Sequence, residues 1–157
     1  MLDIVEPQVA WEFMNAVKSS KAFIDVGAAA DGWYTLKACK VNPNVLVFAI
    51  EPLLKEYKYL LMNVKNNCPK RVIPLRLALG NREDIINIDT ESVKMTTLDT
   101  LVTKLNLHHV DLLKMDVEGA GAQIIEGGIK TITKYKPVIF YEIHNEAELR
   151  SLEVLVK

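Results

Sequence analysis

Four acidic residues stand next to the ends of apolar runs, and they are the side chains with the clearest potential for chemistry: Asp25, Glu51, Asp116 and Glu142. Glu118 and His144 follow closely after two of these runs. If the runs are parallel strands of one sheet, their carboxyl ends share an edge and all six side chains line it. A single acid at such a place is often only a turn or helix cap. Four together indicate a binding site.

Each type of side chain suits a different role at such an edge. Glu51 lies 26 positions after Asp25, and an acid there can accept hydrogen bonds from both hydroxyls of a ribose while disfavouring a 2′-phosphate. Asp25 can orient the following turn or lie near a cationic part of a ligand. Asp116, Glu118 and His144 are candidate general bases. His144 can equally be a residue that merely precedes a helix.

The turn at residues 27–32 narrows the kind of ligand. Gly27 can adopt backbone angles that other residues avoid, and it lets a ligand approach the main chain closely. A dinucleotide-binding turn uses three glycines to admit a pyrophosphate. Here alanines fill the turn, and Asp31 would repel a pyrophosphate. A ligand that lacks phosphates and carries a sulfonium cation fits better, so an NAD-dependent oxidoreductase is a less favoured alternative.

The elements that must position these residues alternate along the chain. Apolar patterns predict strands at residues 22–28, 45–50, 71–75, 110–117 and 137–143, and a short strand or hairpin at 84–89. Helical spacing predicts helices at residues 7–18, 33–41 and 53–66, after a start at Thr96, around 120–135, and from Asn145 onward. Pro74 places the third strand at or near an edge of the sheet.

This alternation predicts an α/β fold of the Rossmann-like, doubly wound kind, with a mostly parallel sheet and helices on both faces. We expect a single domain over residues 1–157. Within it, residues 1–20 carry an N-terminal helix, residues 21–145 form the ligand-binding core, and residues 146–157 form a C-terminal helix.

Composition excludes several classes of partner. The net charge is −1, half of the residues are apolar and a quarter are charged, so no global field favours nucleic acid or an anionic membrane. No signal peptide or bilayer-length apolar run is evident, and we expect a cytoplasmic protein.

Cys39 and Cys68 are isolated and are predicted to be reduced and unpaired. No metal-type spacing is present, and His108 and His109 are predicted to lie in a loop.

Several motifs resemble the class I S-adenosylmethionine-dependent methyltransferases, namely those at residues 25–28, 33–36 and 47–52. A narrower similarity, to the FkbM family, rests on residues 95–101 and above all on residues 110–120, which read VDLLKMDVEGA. Residues 126–128 and 136–144 continue it. The similarity covers roughly residues 22–145, in the family's order and spacing.

This resemblance implies an enzyme that uses S-adenosyl-L-methionine, commonly for O-methylation of a hydroxyl on a sugar or a small-molecule natural product. It implies that Asp116 and Glu118 face the cofactor and the acceptor. Of the catalytic candidates Asp116, His144 and Glu118, we favour His144 or Asp116 as the base. The resemblance also implies a set of cofactor contacts: Asp25, Gly27 and Ala28 at the methionine end, Glu51 and Pro52 at the ribose, Ala78 and Leu79 at the adenine, and Asp116 facing both cofactor and acceptor.

The sequence departs from the family pattern in two places. Ala29 stands where the family often has asparagine, in a turn one residue longer than usual. Class I methyltransferases usually add an antiparallel strand pair after the fifth strand, which this sequence is expected to lack. The strand at 138–143 would then be an uncovered apolar edge, and we expect a homodimer contact there or near the last helix. A non-catalytic or degenerate S-adenosylmethionine-binding module is the alternative function.

Overall fold

A five-stranded parallel sheet forms the centre of the structure, a computed structural model that describes residues 7–155. Its strands are β1 (Ala22–Val26), β2 (Leu46–Ile50), β3 (Val72–Leu75), β7 (Leu112–Met115) and β8 (Val138–Tyr141). They lie in the order β3-β2-β1-β7-β8, and every neighbouring pair is parallel. Strands β2 and β3 are added on one side of β1, and strands β7 and β8 are added later on the other side. The predicted Rossmann-like fold is confirmed.

Helices cover both faces of this sheet. The first face carries α1 (Pro7–Ser19), α2 (Trp33–Val41) and α3 (Leu54–Asn67), and the second carries α4 (Leu98–Lys104), α5 (Gly121–Gly127), α6 (Ile129–Tyr135) and α7 (Glu146–Leu155). Residues 1–6 and 156–157 of the predicted terminal helices lie outside the described residues.

Side chains of the central strands alternate between two apolar cores. Phe23 and Leu112 pack among the helices of the first face, whereas Ile24 and Leu113 pack among those of the second. Each of these four side chains is fully buried. Burial on both faces explains why the strands are near-continuous apolar runs in the sequence.

A second, three-stranded sheet follows β3. It consists of β4 (Ala78–Gly80), β5 (Asp84–Ile88) and β6 (Glu91–Thr97), in the order β4-β6-β5, with an antiparallel hairpin between β5 and β6. The sequence predicted only a strand or hairpin at 84–89. It missed β6, in which buried Val93 and Met95 alternate with exposed Ser92 and Lys94, because that alternation is short and runs directly into a helix.

The helix start predicted at Thr96 is wrong by one residue. Thr96 is buried in β6, and the hydroxyl oxygen of Thr97 caps α4 by accepting a hydrogen bond from the Thr100 N–H at 3.0 Å. Adjacent threonines look alike in the sequence, so the pattern could not separate them. The start at Asn145 is confirmed, since its side-chain oxygen accepts a hydrogen bond from the Glu148 N–H at 2.9 Å.

The prediction of unpaired cysteines is also wrong. Cys39 of α2 and Cys68, which follows α3, form a disulfide with their Cα atoms 6.5 Å apart. The two residues are 29 positions apart in the sequence, and they meet because α2 and α3 pack on the same face of the sheet. The guanidinium of Arg71 donates to both sulfur atoms, at 3.3 and 3.7 Å.

The two edges of the large sheet differ. Strand β3, which contains Pro74, is an edge as predicted, and β8 is the other edge, with Val138 53 % exposed. Within residues 7–155 no strand pairs with the outer side of β8; a homodimer contact there stays a prediction. None of the helices in that range is long and apolar enough to cross a membrane.

Candidate functional site

The carboxyl ends of β1, β2 and β7 meet at one edge of the sheet. Asp25 is in register with Lys114 of β7, Glu51 follows the last residue of β2, and Asp116 follows the last residue of β7. Glu142 lies beside Asp116, because its N–H donates to the carbonyl of Met115 at 2.9 Å. Strand order reverses between β1 and β7, which is where ligands bind in open parallel sheets.

The turn after β1 is closed by β2. The N–H groups of Gly27 and Ala28 both donate to the carbonyl of Ile50 at 3.0 Å. The next N–H, that of Ala29, donates to Oε2 of Glu51 at 3.1 Å, while Oε1 of Glu51 accepts from the Leu53 N–H at 2.9 Å. Three consecutive turn amides are therefore bound by the protein itself, and Glu51 fixes the shape of the turn.

Glu51 is only 6 % exposed. Burial raises the pKa of this carboxyl above its usual range, the backbone N–H groups of Leu53 and Ala29 oppose the rise, and the negative charge of Glu56 adds to it. Each carboxylate oxygen has two lone pairs, so accepting one backbone hydrogen bond leaves each oxygen able to accept another.

Asp25 is fully buried inside β1. The hydroxyl of Thr35 donates to its Oδ2 at 2.7 Å, and the ammonium of Lys114 lies 3.4 Å from its Oδ1. Lys114 in turn donates to the carbonyl of Gly27 at 2.8 Å. Asp25 thus acts on the glycine turn through Lys114. Sequence reasoning missed the role of Lys114, although a charged residue inside a buried strand was a signal that could have found it.

A cluster of three polar side chains forms the outer part of the site. Nε2 of His144 lies 3.3 Å from Oδ1 of Asp116, and donor atoms of Asp116, Glu142 and His144 all lie within 4.8 Å of one another. This spacing could hold a divalent cation, but all three side chains are exposed and such acidic groups commonly occur without one. Glu118 is exposed in the following loop, outside this cluster.

His144 is held through its backbone by α7. Glu148 is fully buried, and its Oε2 accepts a hydrogen bond from the His144 N–H at 2.7 Å while its Oε1 accepts from the Gly121 N–H at 3.1 Å. Sequence reasoning gave Glu148 no role at the site. In the structure it joins the segment after β8 to the beginning of α5.

Tyr34 of α2 reaches the same region and was also missed. Burial raises the pKa of its phenol, and the negative charges of Asp25, Glu142 and Asp116 raise it further. The ammonium of Lys114 lies 5.0 Å from the centre of its ring. Tyr34 therefore places a neutral aromatic side chain beside the charged groups of Lys114, Asp25 and Asp116.

The remaining residues predicted to touch a cofactor expose little of their side chains. Ala28 is 4 % exposed in the turn, and Pro52, directly after Glu51, is half-buried. Ala78 and Leu79 belong to β4 and are buried in apolar cores. A ligand at these last two positions would meet main chain rather than side chain.

The family comparison bears on the second half of the chain. The model of the Methyltransferase FkbM domain matches residues 81–153, a segment that contains Lys114, the Asp116–Glu142–His144 cluster and Glu148. Residues 81–153 are thus similar to the FkbM methyltransferase domain. The resemblance drawn from the 110–120 motif is thereby confirmed. No curated protein matches the chain at a significant level.

Solved structures support the same fold. Methyltransferase FkbM from Methylobacillus flagellatus KT is 18 % identical with a TM-score of 0.72, covering 87 % of this chain and 37 % of that one. Precorrin-6y C5,15-methyltransferase from Geobacter metallireducens GS-15 is 14 % identical with a TM-score of 0.64, covering 99 % and 74 %. A putative O-methyltransferase from Klebsiella pneumoniae is 10 % identical with a TM-score of 0.62, covering 99 % and 69 %. Identities this low show the methyltransferase fold alone, and this chain spans only 37 % of the length of the M. flagellatus protein.

Replacement of Gly27 by alanine is expected to destabilise the protein. Gly27 has φ 76°, and a Cβ there would overlap the carbonyl oxygen of Asp116. Gly119 is a matched control, because it has the same φ but its nearest neighbour lies 3.9 Å from such a Cβ. Urea unfolding should show a loss of about 1 kcal/mol for Gly119→Ala and roughly 1–3 kcal/mol more for Gly27→Ala. Equal losses would contradict the close approach of β1 and β7.

Glu51 should make stability depend on pH in a defined direction. Its folded pKa lies above the ordinary 4.5, so its contribution to stability is greatest at acid pH and is lost as pH rises through the folded pKa. The unfolding free energy of the wild type minus that of Glu51→Gln should therefore fall between about pH 4 and pH 7.

Glu83 supplies a control of opposite sign for this measurement. The ammonium of Lys104 donates to Glu83 at 2.6 Å and lowers the pKa of its carboxyl. The unfolding free energy of the wild type minus that of Glu83→Gln should therefore rise with pH, chiefly below about pH 5, because a lowered folded pKa gives stability that is lost as pH falls through it. A Glu51 difference that rises as well would contradict the buried, raised-pKa carboxyl at the glycine turn.

Proposed function

We propose that this chain binds S-adenosyl-L-methionine and catalyses methyl transfer to a hydroxyl group of a sugar or another small-molecule acceptor. One observation carries the proposal. The closed glycine turn, the buried Glu51 and the paired Asp116 and His144 follow the carboxyl ends of parallel strands on both sides of the strand-order reversal, in a chain whose residues 81–153 match the FkbM methyltransferase domain.

The residues at this edge fit the chemistry of that cofactor. S-adenosylmethionine, when bound, supplies a methyl group activated by a sulfonium. Gly27 and Ala28 would border its methionine part, with Asp25 acting through Lys114. Glu51 would accept the ribose hydroxyls on its remaining lone pairs, followed by Pro52. The main chain at Ala78 and Leu79 would border the adenine, and the carboxylate of Asp116 would face the cationic centre.

The turn argues against a dinucleotide such as NAD. Pyrophosphate binding in this fold uses free N–H groups at the glycine turn. Here the N–H groups of Gly27, Ala28 and Ala29 are all engaged by β2 and Glu51. A nucleoside ligand without phosphates needs none of them.

His144 is the favoured base for the acceptor hydroxyl. In the tautomer that donates from Nε2 to Asp116, Nδ1 of His144 is free to accept a proton. Asp116 orients the imidazole and stabilises the imidazolium that forms. Glu148 holds the His144 backbone in place. Asp116 itself and the exposed Glu118 are the other candidate bases.

Calorimetry on the purified chain tests the binding step. S-adenosylmethionine and S-adenosylhomocysteine should both bind, and NAD should give no heat. Glu51→Gln should weaken both by roughly tenfold to a hundredfold, because hydrogen bonds to a charged group are lost. Asp89→Asn, which removes an exposed carboxylate from the β5–β6 turn, should leave both affinities unchanged. A wild-type protein that binds neither ligand would refute the proposal.

Acceptor assays test the chemistry. His144→Gln should lower methyl transfer by roughly a hundredfold to ten-thousandfold while S-adenosylhomocysteine affinity stays within a few-fold. Asp116→Asn should lower transfer similarly. Full activity in His144→Gln with loss in Glu118→Gln would move the base to Glu118. Tight S-adenosylhomocysteine binding with no transfer to any hydroxyl would favour the degenerate module. Assays with and without a chelator show whether methyl transfer requires a cation at the Asp116–Glu142–His144 cluster.

A further inference from the structure

Lys114 is a buried lysine placed among carboxylates. It is 5 % exposed, and a buried ammonium is costly unless it is paired and hydrogen-bonded. It lies 3.4 Å from Asp25, 3.7 Å from Asp116 and 2.8 Å from the carbonyl of Gly27. Its ammonium therefore lies at the point where β1, β7 and the glycine turn converge.

The charges around Lys114 are otherwise negative. Asp25 and Asp116 contact it directly, Glu51 lies close enough for the Lys114 charge to oppose the rise in the pKa of Glu51, and Glu142 lies beside Asp116. Tyr34, packed against the ammonium, is neutral at ordinary pH and adds no charge. Lys114 is thus the positive charge that offsets the carboxylates along this side of the cleft.

We propose that Lys114 sets the preference of this site for a sulfonium over the corresponding neutral thioether. The inference rests on the proposed function. S-adenosylmethionine and S-adenosylhomocysteine differ by one methyl group and one positive charge at sulfur. The ratio of their affinities therefore reports the electrostatic potential of the cleft wall, to which Lys114 contributes with a sign opposite to that of Asp25 and Asp116.

The physical benefit concerns the transition state. Positive charge leaves the sulfur as the methyl group is transferred, so carboxylates that are not offset stabilise the bound sulfonium more than the transition state. A lysine fixed against these carboxylates reduces that ground-state stabilisation. A residue that merely braces the glycine turn would weaken both ligands alike and leave the affinity ratio unchanged.

The test is calorimetry of S-adenosylmethionine and S-adenosylhomocysteine on the full chain. Lys114→Met should raise the affinity ratio, sulfonium over thioether, by roughly tenfold, the size expected for one nearby charge in a partly solvated cleft. Lys114→Gln keeps a donor for the Gly27 carbonyl without the charge, and it should shift the ratio in the same direction. Lys114→Arg should restore the wild-type ratio.

Two further variants complete the test. Asp25→Asn leaves the lysine in excess and should lower the ratio. Lys37→Met removes a lysine whose ammonium lies 5.9 Å from the centre of the Trp33 ring, and it should leave the ratio unchanged. If Lys114→Met does not fold, Lys114→Gln and Asp25→Asn supply the two opposite shifts.

The outcomes separate this inference from the proposed function. A wild-type protein that binds neither ligand refutes the proposed function itself. If the wild type binds both ligands and the folded Lys114 and Asp25 variants have the wild-type affinity ratio, only the proposed role of Lys114 is overturned. Opposite shifts in Lys114→Gln and Asp25→Asn support it.

Discussion

The structure of the site depends on one buried ion pair, between Asp25 of β1 and Lys114 of β7. The two residues are in register across neighbouring strands, and the lysine continues the contact to the Gly27 carbonyl. Burying two charges costs several kcal/mol per ion, and an apolar pair of similar size would avoid that cost. The pair is thus better explained by what it positions than by stability, since it fixes the turn on which the cleft is built.

Around that pair, the rest of the edge is built from backbone contacts rather than from free side chains. Glu51 binds the turn after β1, Glu148 binds the segment after β8, and Thr35 of α2 holds Asp25. Glu51, Glu148 and Thr35 are all buried, and each is hydrogen-bonded to a neighbouring element. The outer Asp116–Glu142–His144 cluster is exposed. A rigid inner layer therefore supports a small, accessible outer layer.

Much of this architecture could be predicted from local patterns. Apolar runs predicted the parallel strands, and Pro74 predicted an edge strand. The acids after the strands predicted the site, because the carboxyl ends of parallel strands lie at the same edge of a sheet. What escaped prediction depends on partners distant in the sequence. The role of Lys114 depends on Asp25, which lies on another strand. The pairing of Cys39 depends on Cys68, 29 positions later and just after α3, whose packing no local pattern specifies. Strand β6 escaped because its alternation is short.

The Glu148 contacts make the last helix part of the site although it lies outside the sheet. A polypeptide cut just before Glu148 would keep all five parallel strands and both apolar faces of the sheet. It would nevertheless release the main chain at His144 from the start of α5. Such a shortened chain would look well folded by spectroscopy, but the imidazole of His144 would no longer be held in one position. Retaining α7 is therefore the first requirement when a minimal version of this domain is designed.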